Sequence, residues 1–350
     1  MPLFGFWISF RSRISNVGFH AMSASSKPKV AFYWCASCGG CEETVVDLAE
    51  DILGVVEQVE IVLWPVAMDF KYKGLEQMPD KSITATLLNG AVRSSEQEEM
   101  ARLLRRKSQF LIAYGSCAVT GGIPGLANQF AREQILQFNY EEAPTLGNGG
   151  MKARPQLKFE EGGREVTLPN LHNVVRALDQ VVDVDYYVPG CPPTPNITKA
   201  ALTALLSGQL PPKGTVLAPD IALCDECPRK KSKPANLSLT EFKRPHQVLA
   251  DPELCLLAQG ILCMGPATRS GCGAQCTCGN MPCTGCFGPT SRVRDQGLKI
   301  MSSVCANVAA REEGEINHVL DGIPDPIGTF YRYGLAKSLL RRKVSLNSKS

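Results

Sequence analysis

The sequence predicts an α/β fold with a parallel sheet, followed by an irregular, cysteine-rich region. Strand-like and helix-like segments alternate over the first 210 residues or so, and this alternation is typical of a parallel sheet covered on both faces. Beyond residue 212 this periodicity is weak, and cysteine, glycine and proline become dense. With 350 residues, of which 44% are hydrophobic, the chain is long enough for a sizeable core and more than one domain.

Short, nearly continuous apolar runs predict the buried strands of this sheet. They lie at residues 27–34, 58–64, 82–88, 109–114 and 183–188. Apolar residues at helical spacing predict helices at 41–56, 94–108, 127–138 and 170–180. Ser95 and Glu98 fit a capping box at the start of the second helix. Residues 155–169 predict a hairpin inserted in a loop.

Small and polar residues follow each predicted strand. Cys38 and Cys41 follow the first strand, Cys117 follows the fourth and Cys191 follows the fifth. In open α/β sheets, ligands bind at the carboxyl ends of the strands. We therefore expect these four cysteines to converge at one edge of the sheet, where four thiolates suit a tetrahedral zinc ion or a cubane iron–sulfur cluster. From spacing alone, Cys35 makes a second possible C-x-x-C pair.

Two further strand ends carry polar residues. Asp69 follows the second strand and Asn89 the third. We expect Asp69 to be an exposed loop carboxylate, with a share in the site at the sheet edge as the alternative.

The region from 213 to 310 contains ten of the 15 cysteines: Cys224, Cys227, Cys255, Cys263, Cys272, Cys276, Cys278, Cys283, Cys286 and Cys305. A segment with so little periodicity is expected to bury little apolar area, so that bound metal must hold it together. Spacing alone leaves a zinc-stabilised module open as an alternative to iron–sulfur clusters.

Composition excludes several classes of function. A net charge of +3 is too close to zero to indicate binding to nucleic acid or to an acidic membrane surface. Residues 1–27 are expected to be a disordered N-terminal extension, and their apolar run is too short to span a membrane. We expect a cytoplasmic protein without a membrane span, in which clustered cysteines are metal ligands rather than disulfides.

Several ordered motifs together resemble the small, iron–sulfur subunit of cytoplasmic-type [NiFe] hydrogenases. They are CGGCEE (38–43), YGSCAVTGGIPGLAN (114–128), PGCPPTP (189–195), CDECPR (224–229), CLLAQGILCMGP (255–266) and GCGAQCTCGNMPCTGCFGP (271–289). The resemblance covers roughly residues 28–335 and is closest to the methyl-viologen-reducing, heterodisulfide-reductase-associated type. It implies a flavodoxin-like domain (28–212), a cluster-binding domain (213–310) and a C-terminal tail (311–350).

The resemblance also implies three [4Fe–4S] clusters and their ligands. The proximal group is Cys38, Cys41, Cys117 and Cys191, which leaves Cys35 as the spare cysteine. The medial group is Cys272, Cys276, Cys283 and Cys286, with Cys278 as a competitor for Cys276. The distal group is Cys224, Cys227, Cys255 and Cys263. Like Cys35, the remaining Cys278 and Cys305 are expected to be ordinary small apolar residues.

The implied function is electron transfer from the nickel site of a partner large subunit, through the three clusters, to a redox partner. That partner would be a further iron–sulfur or flavin subunit, with the heterodisulfide reductase type as the leading candidate. The apolar loop 118–128 is expected to be covered by the large subunit. Two other functions stay open: a zinc-stabilised scaffold without redox activity, and a quinone-reductase-type subunit of the same fold. The second would hold only the proximal cluster, so the cysteines from 224 to 286 argue against it.

Overall fold

The structure is a computed structural model that describes residues 27–69, 71–146 and 154–340. Apart from Lys27, the predicted extension 1–27 lies outside the described residues. These residues form nine strands: β1 (Lys29–Trp34), β2 (Glu60–Leu63), β3 (Ile83–Asn89), β4 (Val92–Ser94), β5 (Ser108–Tyr114), β6 (Lys158–Glu161), β7 (Arg164–Thr167), β8 (Leu171–Arg176) and β9 (Tyr186–Val188).

The central sheet has five strands in the order β2-β1-β3-β5-β9, and every neighbouring pair is parallel. All five predicted strands are therefore confirmed. With β5 and β9 as its fourth and fifth strands, the sheet has the 2-1-3-4-5 order of flavodoxin-like folds, and its chain order reverses between β1 and β3. The predicted fold class is confirmed.

The helices of the sheet domain are α1 (Gly40–Val46), α2 (Asp51–Gln58), α3 (Tyr72–Gln77), α4 (Ser95–Lys107), α5 (Ser116–Thr120), α6 (Arg132–Gln137) and α7 (Pro195–Ser207). They cover both faces of the sheet. Phe32 of β1 packs in one core with Val45 of α1 and Leu202 of α7. Its neighbour Ala31 packs in the opposite core with Leu104 of α4, because successive strand residues face opposite sides.

Three predicted helices differ in detail. The helix predicted at 41–56 is interrupted, because α1 ends at Val46 and the chain turns at Ala49, whose φ is +51°. The capping box lies one residue earlier than predicted: the Ser94 side chain accepts from Gln97 N–H, and the Gln97 side chain accepts from Ser94 N–H. Within 127–138, only Arg132–Gln137 is α-helical, and a 3-10 turn (Ile123–Gln129) precedes it.

The helix predicted at 170–180 is wrong. Residues 171–176 form β8, which pairs antiparallel with β4. The apolar spacing fitted a helix, but the β-branched pair Val174-Val175 favours an extended backbone that a neighbouring strand can bind. The predicted hairpin at 155–169 is present as β6 and β7, which pair antiparallel.

The cysteine-rich region has a hydrophobic core of its own, so the expectation that it buries little apolar area is wrong. Its helices are α8 (Leu223–Glu226), α9 (Gln275–Cys278), α10 (Gln296–Cys305), α11 (Glu313–Asp321) and α12 (Pro326–Phe330). Leu223, Ile300, Val304, Val319 and Phe330 are buried in the same core. The periodicity was too weak to predict this core because many of its residues lie on single turns. No helix in the described ranges combines the length and apolarity needed to cross a bilayer.

Residues 331–338 pack on the sheet domain and cover much of the loop 118–128. Gly122 N–H donates to Tyr333 O at 3.1 Å, and Gln180 Nε2 donates to Ala336 O at 3.0 Å. Within the loop only Ile123 is exposed. The chain's own C-terminal segment therefore covers much of this loop, so its apolar character alone does not require a partner subunit.

Gly121→Ala should loosen this contact. Gly121 has a φ of +94°, and a Cβ there would collide with the Cβ of Ala336. Strain and overpacking together should destabilise the fold by about 2–4 kcal/mol. In Gly54→Ala, a helical position with open space, stability should stay the same or rise. Thermal unfolding of the anaerobically purified protein measures the stability of both variants. Limited proteolysis measures how readily the segment after residue 331 is cleaved in each. Equal midpoints for the two variants would contradict the packing described.

Candidate functional site

The proximal group assembles at the carboxyl edge of the sheet, as predicted. Cys38 and Cys41 follow β1, with Cys41 in the first turn of α1. Cys117 lies in α5 after β5, and Cys191 follows β9. Burial raises the pKa of the Cys41 thiol, and Cys117, Cys191 and Cys38 raise it further in that order. Burial, then Cys191 and Cys38, raise the pKa of Cys117 to about 12. The four thiols are thus mutual neighbours.

Glycines make room for these sulfurs. A Cβ at Gly115 would overlap with Cys41 Sγ, and one at Gly122 would lie 2.5 Å from Cys117 Sγ. A Cβ at Gly40 would lie 3.6 Å from Cys38 Sγ. Because these positions are glycines, the backbone approaches the sulfurs closely where a side chain would collide with them or crowd them.

Cys35 is not part of this group. It is buried in the opposite core of the sheet, and its Sγ lies 4.0 Å from Gln97 O. Burial, then the charge of Glu96, raises the pKa of Cys35 to about 12. Spacing alone could not decide between the two C-x-x-C pairs. In the structure, the Cys35 side chain lies on the face of the sheet opposite to the face on which Cys41 packs.

Glu42 lies next to Cys41, and its burial and hydrogen-bond partners were not evident from the sequence. It is 4% exposed, and its carboxylate accepts hydrogen bonds from Trp64 Nε1 and, at 2.7 Å, from Asn89 Nδ2. Burial raises the pKa of Glu42, and these two hydrogen bonds oppose that shift. The carboxylate thus ties the helix that carries Cys41 to the ends of β2 and β3. Asp69, in contrast, is exposed.

The distal group lines one small cavity. All four of its cysteines contribute to the wall, together with Leu223, Leu256, Leu257, Arg229 and Lys233 among others. Burial raises the pKa of Cys224 to about 12, Lys233 opposes the shift, and Cys263, Cys255 and Cys227 add to it. Cys263 Sγ accepts a hydrogen bond from Cys283 N–H at 3.3 Å.

The medial group forms the third set of neighbours. Burial raises the pKa of Cys286 to about 12, and a hydrogen bond from the Cys191 backbone opposes this shift. The neighbouring thiols of Cys272, Cys191 and Cys276 raise the pKa further. Burial also raises the pKa of Cys272, and the nearby Cys276 adds to this shift. Cys278, two residues away, is exposed, and its Sγ lies 3.7 Å from Gly273 O.

Contacts between groups place the medial group in the middle. The Cys191 backbone connects the proximal group to Cys286, and the Cys283 backbone connects the medial group to Cys263. Glu226, between the first two distal cysteines, accepts from Gly271 N–H at 2.8 Å and Gly273 N–H at 2.6 Å, on either side of Cys272. The three groups therefore form a continuous series.

The donor set of each group consists of four thiols, and its neighbours are mainly apolar side chains and backbone N–H groups. Such sites suit the thiolate ligation of a cubane cluster, so the residues fit the implied cofactor. In the part of the chain that the structure describes, no three His, Cys, Asp or Glu side chains are arranged to hold a single metal ion. Cys278 and Cys305, which were expected to be ordinary small apolar residues, are both exposed.

The chain matches known proteins over nearly all of its length. Residues 38–205 match the family model of the NADH ubiquinone oxidoreductase 20 Kd subunit. The match to a solved NAD+-reducing [NiFe]-hydrogenase in its H2-reduced state has a TM-score of 0.45, with 31% identity, and covers 53% of this chain and 94% of that chain.

Curated relatives cover more of the chain. The iron–sulfur G subunit of the F420-non-reducing hydrogenase of Archaeoglobus profundus is 39% identical over 320 residues, which cover 90% of this chain and 98% of that protein. The G subunit of the F420-non-reducing hydrogenase of Methanothermobacter thermautotrophicus is 36% identical over 93% of this chain and 100% of its own length. The delta subunit of sulfhydrogenase 2 of Pyrococcus furiosus is 26% identical over 81% of this chain and 95% of its own length. These matches confirm the resemblance seen in the motifs, and the chain belongs to the family of F420-non-reducing hydrogenase G subunits.

Proposed function

We propose that this chain is the electron-transfer subunit of a [NiFe] hydrogenase and that twelve of its cysteines hold three [4Fe–4S] clusters. The observation that carries the proposal is the grouping of these cysteines into three neighbouring sets of four, with the medial set in contact with both others. Clusters bound at these sites would transfer one electron at a time, and a backbone hydrogen bond joins each site to the next.

The protein's part in this function is to place the three sites and to tune them. Backbone N–H groups of Cys191 and Cys283 donate to sulfurs of the next group, and such hydrogen bonds affect reduction potentials. Burial of Cys41, Cys117 and Cys263 keeps solvent away from the sulfurs. We assign the proximal site to a domain of residues 28–212 and the other two to the region that follows, and we infer a cytoplasmic location.

A quinone-reductase-type subunit is the second candidate. The 20 Kd subunit model matches residues 38–205, a range that holds the proximal group alone. The G subunits are similar over 90–93% of this chain, so their similarity extends to the medial and distal groups. That extent favours the hydrogenase function over both the quinone-reductase and the zinc-scaffold alternatives.

The proposed partner at the proximal end is the nickel-binding large subunit. Apolar side chains are exposed where β1 and β2 end, at the carboxyl edge of the sheet: Trp34 is 41% exposed, Val66 57% and Met68 40%. A patch of this kind at a site edge is typical of a protein interface. A further iron–sulfur or flavin subunit, of the heterodisulfide reductase type, would accept electrons at the distal end.

Replacing Cys41 tests the proximal site. Cys41→Ala should remove about one third of the bound iron, since one of three cubanes is lost, and should abolish hydrogen-driven reduction of viologen by the complex. Cys35→Ala changes the neighbouring C-x-x-C pair but lies in the opposite core, so iron content and activity should stay near normal. The reverse pattern would show that the wrong pair is assigned.

Cys276 and Cys278 form a matched pair for the medial site. They are exposed and lie two residues apart on the same short helix. Cys276→Ala should remove or alter the medial cluster's electron paramagnetic resonance (EPR) signal after reduction, whereas Cys278→Ala should leave it unchanged. If Cys278→Ala alone alters that signal, Cys278 is the ligand.

The partner interface can be tested by co-purification with the hydrogenase large subunit from the same genome. Val66→Asp places a charge in the exposed patch and should reduce recovery of the large subunit several-fold. Leu249→Asp is the control, because Leu249 is 94% exposed in the cysteine-rich region. Equal recovery with both variants would contradict the interface, and a stable, fully iron-loaded free chain would contradict the partnership.

A further inference from the structure

A buried arginine lies beside the distal group. Arg229 follows Cys227 by two residues, is 4% exposed, and lines the same cavity as all four distal cysteines. Arginine is rarely buried to this extent unless an anion compensates its charge. The question is which anion does so here.

The protein contacts of Arg229 are all neutral. Nε donates to Thr277 O at 3.2 Å, one terminal nitrogen donates to Asp251 O at 2.9 Å and Leu254 O at 3.1 Å, and the other donates to Asn280 Oδ1 at 2.7 Å. No carboxylate of the described residues lies within 4 Å of its guanidinium, and Arg229 takes part in none of the salt bridges of those residues.

These contacts also fix the guanidinium in position. The acceptors come from the segment that contains Cys255 and from the segment that follows Cys276. Thr277 Oγ1 in addition lies 3.4 Å from Cys227 Sγ, so the same residue contacts both the arginine and a distal cysteine. The guanidinium is therefore held by two other segments of the chain, one next to a distal cysteine and one next to a medial cysteine.

We propose that Arg229 is the counter-charge of the distal cluster and raises its reduction potential. The inference rests on the proposed function, because the missing anion is the thiolate-ligated cluster itself. A cluster that accepts one electron becomes more negative by one unit, and a fixed positive charge in a poorly solvated site stabilises that reduced form. Arg229 would thereby make the distal site a better acceptor of electrons from the medial site.

Lys233 supplies the natural comparison. It lines the same cavity and interacts with Cys224, but its side chain is exposed. Water and salt screen an exposed charge much more than a buried one. Its effect on the distal potential should be smaller than that of Arg229 and should decrease as salt is added.

The test is an EPR-monitored redox titration of the purified hydrogenase complex, with dithionite as the reductant. The distal signal is assigned by its absence from the Cys255→Ser variant. Arg229→Gln should shift the distal midpoint to a more negative potential and leave the proximal midpoint unchanged. Arg229→Lys keeps the charge but loses part of the hydrogen-bond network, so its midpoint should stay near that of the wild type. Lys233→Gln should give a small shift that disappears at high salt.

A structural role alone predicts a different pattern. If Arg229→Gln leaves the distal midpoint unchanged, or if Arg229→Lys shifts it as far as Arg229→Gln, the counter-charge proposal is overturned. Should the Gln variant fail to retain the cluster, Asn280→Asp gives a second measurement, because it keeps Arg229 and places a carboxylate against it. That variant should also shift the midpoint to a more negative potential, and no shift would overturn the proposal. A wild-type complex without a distal signal would instead refute the proposed function.

Discussion

The parallel arrangement of β1, β3, β5 and β9 is the constraint on which the site depends. Because these strands run in the same direction, their carboxyl ends meet at one edge, and the loops that follow them are brought together there. Cys38, Cys117 and Cys191 are far apart in the sequence but become neighbours for this reason alone. If β1, β5 or β9 ran antiparallel to the others, its cysteine would lie at the opposite edge of the sheet.

The second half of the chain continues the site by a different principle. Its described residues, up to 340, form no sheet that could align the cysteines, which are held by short turns around a compact hydrophobic core. Polar residues connect the parts: Glu226 binds the backbone on both sides of Cys272, and Arg229 connects the segments that carry distal and medial cysteines. The medial group thereby contacts its two neighbours through single backbone N–H groups.

The sequence was sufficient for the sheet and for the expectation that Cys38, Cys41, Cys117 and Cys191 converge at its edge, because buried parallel strands are continuous apolar runs and strand ends can be located from them. The division of the later cysteines into two groups came from the family resemblance and not from spacing. It was insufficient where local preference and tertiary pairing disagree. Leu171–Arg176 has helical spacing but is a strand because β4 is available to pair with it. Neither the burial of Glu42 nor that of Arg229 could be found from the sequence, since burial of a charged residue depends on partners distant in the chain, such as Trp64 and Leu254.

Three sets of four cysteines that each hold a cubane cluster would give the chain a fixed content of metal and sulfide. Determination of iron, zinc and acid-labile sulfide in the anaerobically purified protein measures that content. We expect about twelve irons and about twelve sulfides per chain, since each [4Fe–4S] cluster contributes four of each. Zinc with little iron would contradict the redox function, and about four irons would leave the proximal group as the one cluster site.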